Sequence, residues 1–141
     1  MIALMCPAAA AAAASAATLH VSVTPTTLPK KRTYEVKLTG SFAKGETAAG
    51  RAFLISAIQF SPKPCLATAQ AEYKIRPTQF YFGEAGGIFE SHSPFTQVND
   101  FTAKIVGRRR ICAYLYPKSV VPSDTTRPIV RGQASFRVTA P

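Results

Sequence analysis

The sequence predicts an all-β domain, a two-sheet Greek-key sandwich of about seven short strands. Apolar and polar residues alternate with a period of two in several segments, which sends one set of side chains inward and the other outward. The 11 prolines and 8 glycines stand between short apolar runs, and helical periodicity is nearly absent. A small β-barrel or a jelly roll is the alternative, because strand number alone does not fix how a sheet closes.

An uncharged, alanine-rich leader precedes the first strand. The triplet 14–16 fits the small-x-small rule for signal peptidase, so we expect an export signal over 1–16, cleaved after Ala16, and one domain over 17–141. The leader lacks a positively charged start, and a low-complexity tail is the other interpretation. A membrane-spanning helix needs roughly 20 strongly apolar residues, whereas this stretch is shorter and contains Pro7.

The first two strands have the clearest alternation. Apolar residues at every second position predict a strand over 19–23, ended by Pro25, and a second over 33–39, ended by Gly40. Between them, Pro29 and the basic run Lys30, Lys31, Arg32 predict a turn.

The middle of the chain is less regular. The continuously apolar segment 52–60 predicts a central strand covered on both faces, which Pro62 and Pro64 end. Segment 66–73 has few β-branched residues and predicts a short helix or an irregular crossover. Aromatic residues at 80–82 predict a short strand before Gly83.

The last third predicts a hairpin and a final strand. Alternation over 101–105, ended by Gly107, predicts one strand, and 110–116 its hairpin partner, with Cys112 facing the same way as Tyr114. The run Arg108 to Arg110 then falls in the turn of this hairpin. A last strand is predicted over 134–138.

Three segments resemble immunoglobulin-like β-sandwich domains of small exported bacterial proteins. They are Val-Ser-Val-Thr-Pro at 21–25, Tyr-Glu-Val-Lys-Leu-Thr-Gly at 34–40 and Arg-Ile-Cys-Ala-Tyr-Leu at 110–115. The resemblance covers most of 19–140 and implies fold rather than function. The chain departs from antibody-type domains because Cys65 follows the third predicted strand, no tryptophan is present, and Arg110 stands where a tyrosine corner would place Tyr.

Cys65 and Cys112 are the cysteines that remain after removal of the leader. An even count in an oxidising compartment favours a disulfide, which would attach the proline-flanked segment around Cys65 to the penultimate strand. Two free buried thiols are the alternative.

The domain is strongly basic. All 17 basic and 7 acidic residues follow the leader, so the mature chain carries the full formal charge of +10. Such a field attracts polyanions. Two runs are candidate polyanion-binding residues, Lys30, Lys31 and Arg32 in one turn and Arg108, Arg109 and Arg110 in another, since guanidinium groups pair with phosphate, sulfate or carboxylate. Ordinary solvated turns are the alternative.

Other chemistry finds little support in the sequence. His20 and His92 have no partner at metal-ligand spacing, so neither a metal nor a cofactor is expected. Ser91, beside Glu90 and His92, has no nucleophile-elbow motif. Tyr81, between two phenylalanines, is a candidate exposed aromatic residue.

These observations predict an exported, non-enzymatic binding or structural module, secreted or at the cell envelope. A polyanion-binding protein for acidic glycan or nucleic acid is the alternative, and an exported hydrolase the third. We expect a monomer without a transmembrane segment in the mature chain, whose partner is a cell-envelope protein or an anionic polymer.

Overall fold

The computed structural model describes residues 17–42, 52–60, 64–74, 79–85, 94–116, 123 and 125–141, and at 52–60, 73 and 79–85 it describes the backbone. The leader over 1–16, and with it the expected cleavage site, lies outside these residues.

The described strands form two sheets. A three-stranded antiparallel sheet has the order β1 (Thr18–Thr24), β3 (Thr33–Ser41), β6 (Phe95–Thr102). A five-stranded sheet has the order β2 (Thr27–Pro29), β8 (Val130–Thr139), β7 (Gly107–Leu115), β4 (Ala52–Phe60), β5 (Gln79–Ala85). One short helix, α1 (Ala69–Lys74), follows β4 in the described part of the chain.

The chain crosses between the sheets after β1. A cis peptide bond joins Thr24 to Pro25, and after two residues the short strand β2 pairs in parallel with β8 on the other sheet. β2 was not predicted, so the described chain has eight strands where about seven were expected.

The hydrophobic core lies between the sheets and consists of the inward half of each alternating strand. Tyr34 is near its centre, with ring centroids 4.7 Å from Phe136 and 5.8 Å from Phe101. Burying one face of each strand is the main stabilising term for such a fold. The other large contributors are Val21, Val23, Leu28, Val36, Leu38, Ile111, Leu115 and Val138.

The predicted hairpin between 101–105 and 110–116 is wrong. β6 begins at Phe95, ends at Thr102 and pairs with β3, whereas β7 pairs with β4 and β8 on the other sheet. The residues between them cross from sheet to sheet: Ala103 exchanges backbone hydrogen bonds with Lys31 and Arg32, at 2.7 and 2.8 Å. The alternation over 101–105 predicted a strand because Phe101 and Ala103 both face the core. Only Phe101 lies in a strand.

The connectivity defines the fold class as an immunoglobulin-like, Greek-key β-sandwich. Consecutive strands β3 and β4 lie on opposite sheets, as do β6 and β7, while β4–β5 and β7–β8 are antiparallel neighbours. The predicted fold class and the predicted short helix after the third long strand are therefore confirmed.

Candidate functional site

The five-stranded sheet carries a second, smaller core on its outer face. Along β7, Ile111, Ala113 and Leu115 face the space between the sheets. Cys112 and Tyr114, and Tyr116 just beyond the strand, are fully buried on the opposite side together with Ala69 of α1. Segment 64–74 is therefore a cover for the outer face of β7.

A disulfide attaches this cover. Cys65 and Cys112 are bonded, with Cα atoms 5.6 Å apart, in agreement with the predicted pairing. Cys65 lies in irregular chain directly after Pro64, and Cys112 lies in β7 facing the same way as Tyr114, as the sequence predicted. The bond thus lies on the outer face of the sandwich. In antibody-type domains, by contrast, the disulfide lies between the two sheets.

Two tyrosine hydroxyls connect the sheet to the cover. Tyr114 Oη lies 2.8 Å from the carbonyl oxygen of Leu66 and 3.0 Å from Oε1 of Glu72. Tyr116 Oη accepts a hydrogen bond from the Ala69 amide at 2.9 Å and donates one to the side-chain oxygen of Gln70 at 2.8 Å.

The pKa values of both tyrosine hydroxyls are raised. Burial raises the pKa of Tyr114, and the negative charge and hydrogen bond of Glu72 raise it further. Burial also raises the pKa of Tyr116, against the amide of Ala69, which stabilises the phenolate.

Glu72 is a buried side chain of this cluster that the sequence analysis missed. It has no exposed surface, and its Oε1 accepts a hydrogen bond from the Leu66 amide at 2.6 Å as well as facing Tyr114. Its other oxygen, Oε2, is buried with no hydrogen-bond partner in the described structure. The sequence signal for a cover was three alternating outward residues that are not charged, Cys112 and Tyr114 of β7 and Tyr116 just beyond it.

A groove opens beside the disulfide. Its volume is about 500 Å³, and the described residues that line it are Pro64, Cys65, Arg131, Gly132 and Gln133. Arg131 Nη1 donates to the Leu66 carbonyl oxygen at 3.2 Å.

The disulfide sulfurs lie close to a carboxylate. The sulfur atoms of Cys65 and Cys112 and a carboxylate oxygen of Glu72 lie within 4.8 Å of one another. Because the two sulfurs are bonded to each other, these atoms do not form a metal-ligand set in the oxidised protein.

The predicted turn at Arg108 to Arg110 is wrong, since all three arginines belong to β7. Successive side chains of a strand face opposite ways. Arg109 faces inward beside Tyr34 and Phe136 and is 3% exposed, so three consecutive guanidinium groups are not presented together. Burial lowers the pKa of Arg109, and the charge of Tyr34 opposes that shift.

The two flanking arginines belong to a basic stripe on the outer face of β7 and β8. Arg108 lies directly opposite Arg137, and Arg110 lies opposite Ser135, whose Oγ is 3.4 Å from its Nε. Arg131 lies opposite Tyr114 on the same face. We call the set Arg108, Arg110, Arg131 and Arg137 the basic face; from 131 to 137 it extends about 20 Å along the strand at roughly 3.3 Å per residue.

The second predicted basic run lies at one end of this face. The amide of Lys30 bonds to Thr139 at the end of β8, at 2.9 Å, and Lys31 forms the turn with φ 74°. Gly107, next to Arg108, lies opposite Val138, which on its other side pairs with Leu28 of β2. The turn at 30–32 and the start of β7 are therefore at the same end of the sandwich, a question that the sequence left open.

Exposed acidic residues in the described chain lie on the other side of the molecule. Glu35 and Asp100 are directly opposite each other on the outer face of the three-stranded sheet. Within the described residues, neither Arg108 nor Arg137 is paired with a carboxylate. The described side chains of the two outer faces thus differ in charge.

Of the remaining predicted residues, the structure describes the side chain of His20 alone. His20 is exposed on β1. Glu90, Ser91 and His92 lie outside the described residues, and Tyr81 lies in β5, where the backbone alone is described. In the described part of the chain, no helix has the length and apolar character needed to cross a bilayer.

Comparison with known proteins identifies a fold and no family. No protein-family model matches the sequence, and a search of curated proteins finds no match. Among solved structures, the CARDB domain of the PF1109 protein from Pyrococcus furiosus, in complex with di-metal ions, has a TM-score of 0.50 at 10% identity, over 89% of this chain and 94% of that one.

Two further structures are less similar. The alkylpurine DNA glycosylase AlkC of Pseudomonas fluorescens, bound to DNA with an abasic site analog, has a TM-score of 0.49 at 13% identity, over 88% of this chain and 30% of that one. A complex of Zinc 2-glycoprotein and prolactin inducible protein from human seminal plasma has a TM-score of 0.39 at 10% identity, over 91% and 96%. The CARDB likeness supports the fold alone, which is compatible with a binding or structural module.

Proposed function

We propose that this protein is an exported binding module whose basic face binds an acidic glycan. The observation that carries the proposal is the direct opposition of Arg108 and Arg137, both exposed and without a described carboxylate partner. Like charges directly opposite on two strands destabilise a sheet. A bound polyanion removes that repulsion, so binding energy and relief of strain act together.

The geometry of the face suits an extended anionic chain. Arginines at both ends of β8 and two on β7 spread positive charge over about 20 Å, and guanidinium groups bind carboxylate and sulfate through paired hydrogen bonds. The turn at 30–32 extends the positive surface at one end.

An acidic glycan fits better than a nucleic acid. Proteins that bind single strands stack bases on exposed aromatic rings, whereas the described aromatic residues on this face, Tyr114 and Tyr116, are fully buried. The disulfide and the alanine-rich leader support a location outside the cytoplasm, where glycans are the abundant polyanions. A hydrolase is not proposed, because the candidate residues Glu90, Ser91 and His92 lie outside the described residues.

The test measures binding of the mature chain to heparin and to polygalacturonate as probe polyanions. We expect the affinity to fall steeply with salt, because binding releases counterions. Arg137→Ala should weaken binding about tenfold, the effect of losing one charge-assisted hydrogen bond. The double variant Arg108→Ala/Arg137→Ala should weaken it further.

Lys37→Ala is the matched control, since it also removes one exposed positive charge but from the three-stranded sheet. Equal losses for Lys37→Ala and Arg137→Ala would show that net charge alone acts and would overturn the assigned face. Salt-insensitive binding would overturn the electrostatic mechanism, and tighter binding of duplex DNA of equal charge would replace the glycan by nucleic acid.

A further inference from the structure

The disulfide between Cys65 and Cys112 presents its two sulfurs unequally. Cys65 is half-buried and lines the groove of about 500 Å³, while Cys112 has no exposed surface and is not among the described residues that line it. A thiol that enters the groove therefore reaches Cys65 and not Cys112. Thiol–disulfide exchange depends on which sulfur can be attacked. This arrangement makes Cys65 the sulfur that is attacked and Cys112 the sulfur that leaves.

The carboxylate of Glu72 lies beside the two sulfurs, and one of its oxygens has no hydrogen-bond partner in the described structure. Glu72 Oε1 is held by the Leu66 amide and faces Tyr114, but Oε2 is buried and has no hydrogen-bond partner in the described structure. Buried polar atoms are nearly always paired, and an exception calls for a functional or ionic explanation. A group that exchanges a proton with the adjacent sulfur would supply one.

A cation lies on the groove side of the disulfide. Arg131 lines the groove together with Cys65, and its guanidinium bonds to the carbonyl of Leu66, the next residue in the chain. Positive charge near a cysteine stabilises the thiolate over the thiol. Cys65 thus shares the groove with a cation, and both sulfurs lie within 4.8 Å of a carboxylate oxygen of Glu72.

We propose that Cys65–Cys112 is a reactive disulfide that oxidises protein dithiols, with Cys65 as the exchanging sulfur and Glu72 as the proton carrier for Cys112. This activity does not rest on the proposed glycan binding.

A thiolate of the partner dithiol attacks the Cys65 sulfur, a new sulfur–sulfur bond forms between them, and the Cys65–Cys112 bond breaks. Cys112 leaves as thiolate, and a proton that Glu72 takes up from water and passes on converts it to the thiol. The partner's second thiolate then attacks its own sulfur in the mixed disulfide and expels Cys65 as thiolate next to Arg131. The partner dithiol becomes a disulfide, and this protein receives the two electrons.

The first experiment asks whether the folded protein is reduced directly. The mature chain is incubated with dithiothreitol in increasing urea below the unfolding transition, and free thiols are alkylated and counted by mass spectrometry. We expect reduction without urea at a rate at least a hundredfold above the rate of global unfolding, with the near-UV spectrum of the main core retained. A reduction rate equal to the unfolding rate would show a purely structural bond and overturn the proposal.

The second experiment identifies the sulfur that exchanges. Cys112→Ser should form a stable mixed disulfide with oxidised glutathione through Cys65, and Cys65→Ser should form it at least tenfold more slowly because Cys112 is buried. Similar rates for the two variants would overturn the assigned direction.

The third experiment tests the proton carrier. Glu72→Gln should slow closure of the reduced protein to the disulfide at least tenfold, while alkylation of Cys65 stays at the wild-type rate. Ser135→Ala, on β8 and not among the described residues that line the groove, should leave both rates unchanged. Equal closure rates for Glu72→Gln and wild type would overturn the role of Glu72.

Discussion

At the scale of single residues, Tyr114 shows how a buried hydroxyl fixes a neighbouring segment. It is fully buried, and it reaches both the carbonyl of Leu66 and the carboxylate of Glu72, which are six residues apart on the cover. Burying a carboxylate is costly unless donors compensate it. Tyr114 and the Leu66 amide are those donors. The sheet therefore supplies one of the donors that the buried carboxylate of the cover needs.

Replacing this hydroxyl should change stability and its pH dependence together. We expect Tyr114→Phe to lower the free energy of unfolding by about 1–3 kcal/mol at pH 7, because buried acceptors lose their donor. In the wild type the raised pKa of Tyr114 means that, from about pH 10 upward, the unfolded chain loses a proton that the folded chain keeps. Stability from this group is therefore complete below about pH 10 and falls as pH rises.

Urea unfolding between pH 7 and pH 11 measures this effect. The gap between wild type and Tyr114→Phe should narrow above pH 10, since the variant has no phenol to ionise at this position. Tyr116→Phe should behave in the same direction, because the pKa of Tyr116 is raised as well. A gap that stays constant with pH would contradict the assignment.

At the scale of elements, β7 serves two cores and a charged face at once. Ile111, Ala113 and Leu115 fill the main core, while Cys112 and Tyr114 hold the cover. Toward its start, the strand contributes two arginines to the basic face and one to the interior. Strands buried on both faces read as continuous apolar runs, and β7 does so from 111 to 116.

The disulfide should matter to the cover far more than to the sandwich. Its cysteines are 47 positions apart, so the loop-entropy model gives roughly 4 kcal/mol of stability. We expect Cys65→Ala/Cys112→Ala to lose less than that amount, because the bond attaches the cover and does not join the two sheets. The amide hydrogens of 66–74 should exchange faster, with those of β3 keeping their protection relative to global unfolding. Mass-spectrometric hydrogen exchange measures this.

Ser135→Ala is a control on the same face that leaves the cover attached, and its exchange pattern should match the wild type. If the amides of 66–74 keep their protection in the double variant, the tyrosine hydrogen bonds alone hold the cover, and the role assigned to the disulfide is wrong.

At the scale of the whole molecule, the distribution of charge is the dominant feature. The sequence carries a formal charge of +10, and the structure places Arg108 opposite Arg137 while Glu35 lies opposite Asp100 on the other sheet. Like charges therefore repel within each outer face. Such self-repulsion favours solubility and costs stability in the free protein.

Salt should therefore stabilise the fold while it weakens glycan binding. Raising NaCl from 0.01 M to 1 M shortens the Debye length from about 30 Å to about 3 Å, so we expect the urea midpoint of the wild type to rise. The double variant Arg108→Ala/Arg137→Ala should gain less, because one repelling pair is already gone. Equal gains in both would indicate a general salt effect and contradict the local explanation.

Sequence patterns were sufficient to predict the class of fold, the disulfide pair and the positions of most strands. Period-two alternation is local, and it records directly which side chains must be buried, as in β1, β3 and β8. It failed where local and tertiary order differ: Ala103 is buried by a crossover and not by a strand, and Arg108 to Arg110 follow the pleat of β7 although their charge indicates a turn.

The pairing of the exposed arginines, and the position of Glu72 beside the disulfide, follow from the tertiary structure. Strand pairing set Arg108 against Arg137, and the return of the chain over β7 set Glu72 beside the disulfide. These residues are separated along the chain by lengths that no pattern in the sequence connects. Their proximity follows from which sheet each strand joins and which face the cover protects, both of which are fixed by burial of the whole domain.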